Sequence, residues 1–347
     1  MQNITKMTIL KRPDIPVEII IEITGKCKLV CPYCTDSRRP HVPLKDILHV
    51  LDEIAELGVK AIRITGGEPL LHPDLVAILN YSKKKKFIVT LNSTAEDIAP
   101  HFMKAIIKNV DVGLFSLQGY SAQTNAAYTR SKSSFLEKIK NIFFLKTQLP
   151  TVRLATVLTP RITGSFPKFV SLIEKVNPSA WVLLRPISAM TDDLQQMDIP
   201  FYRALTLNIM KARKDGINVF IGNPLPMCIT GDLRTGKQAF MGAISDDGHF
   251  RLVYSAQGFY KPSYFINTNL GNTLKKAWDH PLLKELDRTD YLPDICRQCP
   301  VLYTCMGGCR AMTLKNSGSA FGPDPLFEQS IAVKAVSKYQ RISPSKK

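Results

Sequence analysis

Along the chain, apolar segments rich in β-branched residues alternate with segments whose apolar residues recur at helical spacing. Six of the apolar segments predict strands, at residues 17–23, 60–65, 87–91, 112–117, 152–158 and 181–186. Between the first two predicted strands, the apolar residues from Leu44 to Ile54 lie on one face of a predicted helix. Gly58 follows as the predicted C-terminal cap of that helix. This alternation predicts an α/β fold, a partial (β/α)6 TIM-like barrel whose ligand site lies in the loops after the strands.

The pattern changes near Gly216, where short turn-rich segments replace the long alternation. Residues 245–249 predict a hairpin turn, and residues 250–254 predict the strand that follows it. Five of the eight cysteines lie beyond this point. We therefore predict a barrel domain at 1–215, a smaller auxiliary domain at 216–330 and a basic tail at 331–347 that is helical or frayed.

The amino-acid composition indicates which compartment and which partners to expect. The N-terminus has no secretory signal pattern, so the eight cysteines are expected to be reduced thiols in the cytoplasm, available to metals. No apolar run reaches the length of about 18 residues that crosses a bilayer, and we expect no membrane partner. The formal net charge of +17 favours anionic partners such as acidic peptides, phosphorylated ligands or nucleic acid.

Three cysteines follow the first predicted strand, Cys27, Cys31 and Cys34, spaced by three and then two residues. Thiolates are the preferred ligands of iron–sulfur clusters. Three thiolates on a four-iron cube leave one iron open, and an open position lets a metal activate a substrate. A zinc site or buried free thiols are the alternatives.

The second predicted strand ends in Gly66-Gly67-Glu68-Pro69. A glycine pair at a strand end most often marks a tight turn, and it also lets the backbone approach a ligand closely. In a parallel barrel this strand end shares a face with the cysteine loop, so the two motifs together predict one site.

These motifs resemble the radical S-adenosylmethionine (radical SAM) enzymes, and the resemblance covers about residues 15–215. It implies that an open iron on the Cys27, Cys31 and Cys34 cluster binds the amino and carboxylate groups of S-adenosylmethionine. The other contacts that the resemblance implies are Tyr33 to the adenine, and Gly66, Gly67 and Glu68 to the amino group. The reduced cluster then cleaves the cofactor to a 5′-deoxyadenosyl radical, with the electron supplied by a donor such as flavodoxin or ferredoxin.

Four further positions match that family's pattern. Ser116 and Arg130 resemble the pair that contacts the methionine carboxylate of the cofactor. The guanidinium of an arginine such as Arg130 binds a carboxylate well. Asn92 resembles a ribose contact, and Ile187 an apolar adenine contact. Ordinary strand-end packing or turn capping is the alternative for each.

The second cysteine group, Cys296-x2-Cys299-x5-Cys305-x3-Cys309, predicts a metal or cluster site, with structural zinc as an alternative. Its surroundings, including Leu270-Gly271-Asn272 and Trp278, resemble the auxiliary-cluster extension called the SPASM domain.

By this resemblance Cys228 matches the first cysteine of that extension, and Val253 and Phe327 stand where it has two others. We therefore expect one auxiliary iron–sulfur cluster, on Cys296, Cys299 and Cys305, and the other site keeps only Cys228 and Cys309. The fourth ligand stays open between Cys309, Cys228, Asp324 and the substrate.

Enzymes with this two-part build mostly modify ribosomally made peptides or protein side chains, and we favour that function. The alternative is a small-molecule substrate such as a haem or cofactor precursor. The chain does not show the N-terminal domain with which many peptide maturases grip a leader, so a separate peptide-recognition protein is a possible partner. A non-catalytic metal protein that binds nucleic acid is the alternative of another class, but phosphate binding requires no open three-thiol cluster.

Overall fold

The computed structural model describes residues 11–34, 40–130, 135–187, 197–240 and 248–342. Within them a nine-stranded sheet runs in the order β7-β6-β5-β4-β3-β2-β1-β8-β9. The strands are β1 Glu18–Glu22, β2 Ala61–Thr65, β3 Ile88–Ser93, β4 Val112–Ser116, β5 Thr151–Val157, β6 Ala180–Leu184, β7 Val219–Ile221, β8 Arg251–Tyr254 and β9 Tyr260–Lys261. All neighbours are parallel except β8 and β9.

Helices connect the parallel strands. Those of the barrel are α1 Leu44–Glu56, α2 Leu75–Lys84, α3 Pro100–Asn109, α4 Ala122–Thr129, α5 Phe135–Gln148, α6 Ile162–Val176 and α7 Ile199–Lys214. Those that follow are α8 Leu233–Ala239, α9 Leu274–Trp278, α10 Pro281–Asp287, α11 Asp294–Arg297, α12 Leu302–Cys305, α13 Arg310–Ser317 and α14 Gln329–Ile342. In the part of the chain that the structure describes, no helix is both long and apolar enough to cross a membrane.

The α/β fold with an open, mostly parallel sheet is confirmed, and all six predicted strands are present. The sheet is wider than six strands because β7 joins β6 and β8 pairs in parallel with β1. The strand predicted at 250–254 is therefore β8, whereas much of the turn predicted at 245–249 lies outside the described residues. The predicted tail begins inside α14, so its first part is helical.

Strand β1 shows how alternation places charge inside the barrel. Ile19, Ile21 and Ile23 belong to the main apolar core beneath the helices. Because side chains alternate along a strand, Glu18 and Glu22 face the other way. Ion pairs compensate these carboxylates: Glu18 Oε2 lies 3.0 Å from Arg63, and Glu22 Oε1 lies 3.0 Å from Lys261 Nζ.

Candidate functional site

The cysteine loop crosses the C-terminal end of β1 and is held by backbone hydrogen bonds. The Val30 amide donates to the Thr129 carbonyl at 3.1 Å, which ties the loop to the end of α4. Cys27 and Cys31 are half-buried and Cys34 is exposed. The loop therefore presents three thiols at the face where the parallel strands end.

The glycines after β2 are required by the cysteine loop itself. A Cβ on Gly66 would lie 2.1 Å from the Thr24 carbonyl oxygen, and one on Gly67 would lie 2.3 Å from that of Lys26. Gly67 N and Glu68 N donate to the same two carbonyls at 2.7 and 2.8 Å. The close approach predicted here thus brings the end of β2 against the cysteine loop, in a position that no side chain could share.

The Glu68 carboxylate is buried and oriented by donors from the next strand end. It accepts hydrogen bonds from Ser93 Oγ at 2.8 Å, Thr94 N at 2.7 Å and Leu70 N at 3.1 Å. Burial raises the pKa of Glu68, and these hydrogen bonds oppose that shift. Glu68 and Cys27 line one cavity of about 450 Å³, part of it open to solvent.

Burial favours the protonated form of the two half-buried thiols, Cys27 and Cys31. Burial raises the pKa of Cys27 to about 11, and it also raises that of Cys31. Thiolate ligation therefore has to release protons, which makes metal loading dependent on pH.

Two of the predicted cofactor contacts, Asn92 and Ser116, carry buried polar atoms. Asn92 Oδ1 and Ser116 Oγ have no hydrogen-bond partner among the described residues. They lie near the C-terminal ends of β3 and β4, beside the strand end that carries Glu68. Buried polar groups are nearly always hydrogen-bonded, so this face fits a polar ligand such as S-adenosylmethionine.

The remaining predicted contacts are spread around this face. Tyr33 bonds to the Cys31 thiol, and burial raises the pKa of Tyr33 well above its usual value. Arg130 directly follows α4, has a left-handed backbone conformation and is exposed. The preceding residue, Thr129, supplies the carbonyl that accepts the Val30 amide of the cysteine loop. Ile187 is buried after β6 and packs with residues of the C-terminal segment.

Residues 21–167 match the family model of the Radical SAM superfamily. This stretch is a radical SAM domain. Proteins of this superfamily are enzymes that use a four-iron cluster and S-adenosylmethionine, and the three-thiol loop and unsatisfied polar groups described above fit both.

Full-length relatives resemble the chain beyond the radical SAM domain. The PqqA peptide cyclase of Ruegeria pomeroyi is 22% identical over 341 residues, which cover 91% of this chain and 88% of that protein. The mycofactocin maturase MftC of Mycobacterium ulcerans is 23% identical over 351 residues, covering 95% and 92%. Streptococcus suis SuiB, in its structure with precursor peptide SuiA, superposes with a TM-score of 0.74 at 18% identity over 91% of this chain and 76% of SuiB.

The structure contains a buried ion pair beside the radical SAM cysteines that the sequence analysis did not predict. Lys138 of α5 is fully buried, and its Nζ lies 2.7 Å from Glu96 Oε1. Glu96 lines the same cavity as Cys27 and Glu68, so the pair lies next to the cluster loop. The signal was present, since Lys138 interrupts an apolar stripe that contains Phe135, Ile142 and Leu145.

The arrangement of the C-terminal cysteines bears on the open question of the fourth ligand. Cys228, Cys296, Cys299 and Cys305 line one cavity of about 380 Å³, part of it open to solvent. Phe327 lines the same cavity, at the position where a cysteine was expected. Cys228, one of the alternatives left open for the fourth ligand, thus lies around the same cavity as the three thiols expected to share a cluster.

Cys309 lies in a separate buried cluster with Ile187, Ile266, Ala311 and Met312. In the described residues no three His, Cys, Asp or Glu side chains converge tightly enough to hold one metal ion. A four-iron cube instead takes one thiolate per iron, so its ligands surround a larger space.

A salt bridge fills the space beside Cys309. Arg185 Nη1 lies 2.8 Å from Asp324 Oδ2, and Nη2 lies 3.2 Å from Oδ1. Asp324 also accepts the Cys309 amide at 2.8 Å. The Asp324 carboxylate, named above as an alternative metal ligand, thus forms a bidentate ion pair with Arg185. Val253, the other position where a cysteine was expected, is buried in β8 next to β1.

Proposed function

We propose that this radical SAM enzyme generates a 5′-deoxyadenosyl radical and abstracts hydrogen from a ribosomally synthesised peptide or protein side chain. The observation that carries the proposal is the three-thiol loop packed against the Gly66-Gly67-Glu68 strand end. Near the same face, Asn92 Oδ1 and Ser116 Oγ have no hydrogen-bond partner among the described residues. When bound, the cluster and S-adenosylmethionine supply the one-electron cleavage that produces the radical.

Each residue of this site has a proposed task. Cys27, Cys31 and Cys34 hold three irons and leave the fourth for the cofactor. Glu68, fixed in orientation by its three donors, accepts the cofactor's ammonium group, with Gly66 and Gly67 beside it. Other contacts complete the set: Ser116 and Arg130 to the carboxylate, Asn92 to the ribose, and Tyr33 and Ile187 to the adenine.

Two similar proteins, a PqqA peptide cyclase and the mycofactocin maturase MftC, support a peptide substrate. The structure of SuiB with its precursor peptide SuiA gives the same support. The net charge of +17 suits an acidic peptide, because a basic surface concentrates anionic partners. We place the reaction in the cytoplasm, where thiols remain reduced and a flavodoxin or ferredoxin can donate electrons. A separate recognition protein presents the peptide or the barrel binds it directly.

We also propose one auxiliary iron–sulfur cluster in the C-terminal segment. Its support is the convergence of thiols around one cavity and the salt bridge that occupies the space beside Cys309. The complete enzyme then carries about eight irons, from two four-iron cubes.

The decisive experiment is anaerobic. Reconstituted, dithionite-reduced enzyme should convert S-adenosylmethionine into 5′-deoxyadenosine, and the Cys27→Ala/Cys31→Ala/Cys34→Ala variant should form none. Cofactor cleavage by that variant would refute the assignment of the radical site.

The substrate class is tested by mass spectrometry with short peptides encoded beside the gene. A mass change in one of them that depends on S-adenosylmethionine supports a peptide substrate. Turnover of a haem or cofactor precursor with every peptide left unchanged would contradict it.

A further inference from the structure

We infer that Cys228 is the fourth thiolate of the auxiliary site, which is closed, so its cluster has no iron available to substrate. The inference rests on the auxiliary cluster of the proposed function and goes beyond it by assigning the complete ligand set and excluding one role. It also leaves Cys309 outside the metal site.

Backbone contacts hold the segment that carries Cys228 against Cys305. It belongs to a short 3-10 helix, Met227–Thr230, whose first amide donates to Cys305 Sγ at 3.5 Å. The Cys305 thiol in turn donates to the Leu225 carbonyl at 3.9 Å. Cys228 lines the same cavity as Cys296, Cys299 and Cys305.

Three neighbouring elements fix the position of the Cys228 segment. Arg203 Nε of α7 donates to the Ile229 carbonyl at 2.7 Å. Helix α8 packs so closely that a Cβ on Gly236 would lie 2.6 Å from the Met227 carbonyl oxygen. Helix α14 joins through Lys338 Nζ, 2.8 Å from Asp232 Oδ2. These contacts of the fold thus fix the position of the segment that carries the thiol.

The surroundings of Cys309 exclude it from this site. A Cβ on its neighbour Gly308 would lie 2.7 Å from the Asp324 Cβ, so the Asp324 side chain is pressed against this backbone. The paired Arg185 guanidinium occupies the adjoining space. The chain therefore keeps a salt bridge beside Cys309 and four thiols around the other cavity.

Four thiolates change what the auxiliary cluster can do. The Cys27, Cys31 and Cys34 loop leaves one iron open, whereas four thiolates saturate a four-iron cube. Apolar side chains, including Leu233, Val301 and Val336, complete the wall of the cavity. A closed cluster in such a wall can stabilise the fold or carry electrons, but it cannot ligate a substrate.

The test uses full-length protein with Cys27, Cys31 and Cys34 changed to alanine, so that only the auxiliary site remains. After anaerobic reconstitution this background should hold about four irons per chain. Adding Cys228→Ala should lower iron to about three or fewer and produce a three-iron electron paramagnetic resonance (EPR) signal after oxidation. Cys309→Ala, a matched change of another buried thiol, should leave iron content and spectrum unchanged.

An added thiol tests whether the site is closed. Mercaptoethanol should restore the fourth iron in the Cys228→Ala variant and should not alter the EPR spectrum of the background protein. Cys228→Ser keeps the side-chain volume and should shift the spectrum of folded protein if the alanine variant does not fold.

Two outcomes would overturn the inference and leave the auxiliary cluster in place. In the first, the Cys309→Ala protein loses iron and the Cys228→Ala protein keeps it. In the second, mercaptoethanol binds to the cluster of the background protein. A background protein with no iron, or with one zinc, would instead refute the auxiliary cluster itself.

Discussion

Removal of the Asp324 carboxylate should destabilise the fold strongly. Asp324 is 1% exposed and Arg185 is 5% exposed, so Asp324→Ala leaves a buried guanidinium without its counter-charge. It also leaves the amides of Cys309 and Leu326 without their acceptor. Breaking a buried ion pair by removing one partner costs about 3–5 kcal/mol in free energy of unfolding.

Thermal unfolding of reconstituted full-length protein measures this loss. Taking roughly 2 °C per kcal/mol for a chain of this size, the midpoint should fall by roughly 6–10 °C. The control is Lys338→Ala, which removes a largely exposed pair with Asp232 and should cost under about 1 kcal/mol.

A double variant, Arg185→Met with Asp324→Leu, should recover the part of the loss that comes from the unpaired guanidinium, because apolar residues often replace a buried pair without cost. The Cys309 and Leu326 amides stay without their acceptor in this variant. If Asp324→Ala lowers the midpoint no further than Lys338→Ala does, the salt bridge does not stabilise this region and the reasoning fails.

Three predictions concern the radical site. Gly67→Ala should displace the cysteine loop, since its Cβ would lie 2.3 Å from a loop carbonyl oxygen, and should remove about four irons; Gly164→Ala, whose Cβ meets nothing within 4 Å, should keep them. Arg130→Ala should weaken S-adenosylmethionine binding by about 1.5–3 kcal/mol, roughly 10- to 150-fold in calorimetry, and unchanged affinity would remove it from the site. Lys138→Gln should lower the midpoint potential of the adjacent cluster and Glu96→Gln should raise it, because a nearby cation favours the more negative reduced state. Shifts of the same sign in a redox titration would contradict this last assignment.

The fold was predictable because its signals are local. Each β-branched segment and the helix after it are contiguous in sequence, and parallel strands joined by helices allow few topologies. The cysteine loop and Gly66-Gly67-Glu68 follow successive strands, so their approach followed from the barrel. The positions of β8 and β9 did not, because the pairing of Glu18 with Arg251 joins distant segments with no local signature.

The candidate site shows the same division. Spacing predicted that Cys296, Cys299 and Cys305 act together, since they lie within one short segment. It could not place Cys228, whose neighbours depend on how the Met227–Thr230 turn packs against α12. The glycines were predicted for the right kind of reason, a close backbone approach, but the structure shows the cysteine loop as what they approach.

The two thiol sets differ in how the fold fixes their ligand number, and this difference separates their roles. At the radical site three thiols share one loop, and two buried polar atoms near the same strand ends, Asn92 Oδ1 and Ser116 Oγ, have no hydrogen-bond partner among the described residues. At the auxiliary site a fourth thiol arrives from a distant turn and meets apolar walls, so no polar ligand is called for. Because substrate activation needs an open metal position and electron transfer does not, we infer that radical chemistry belongs to the first set and that the second supports it.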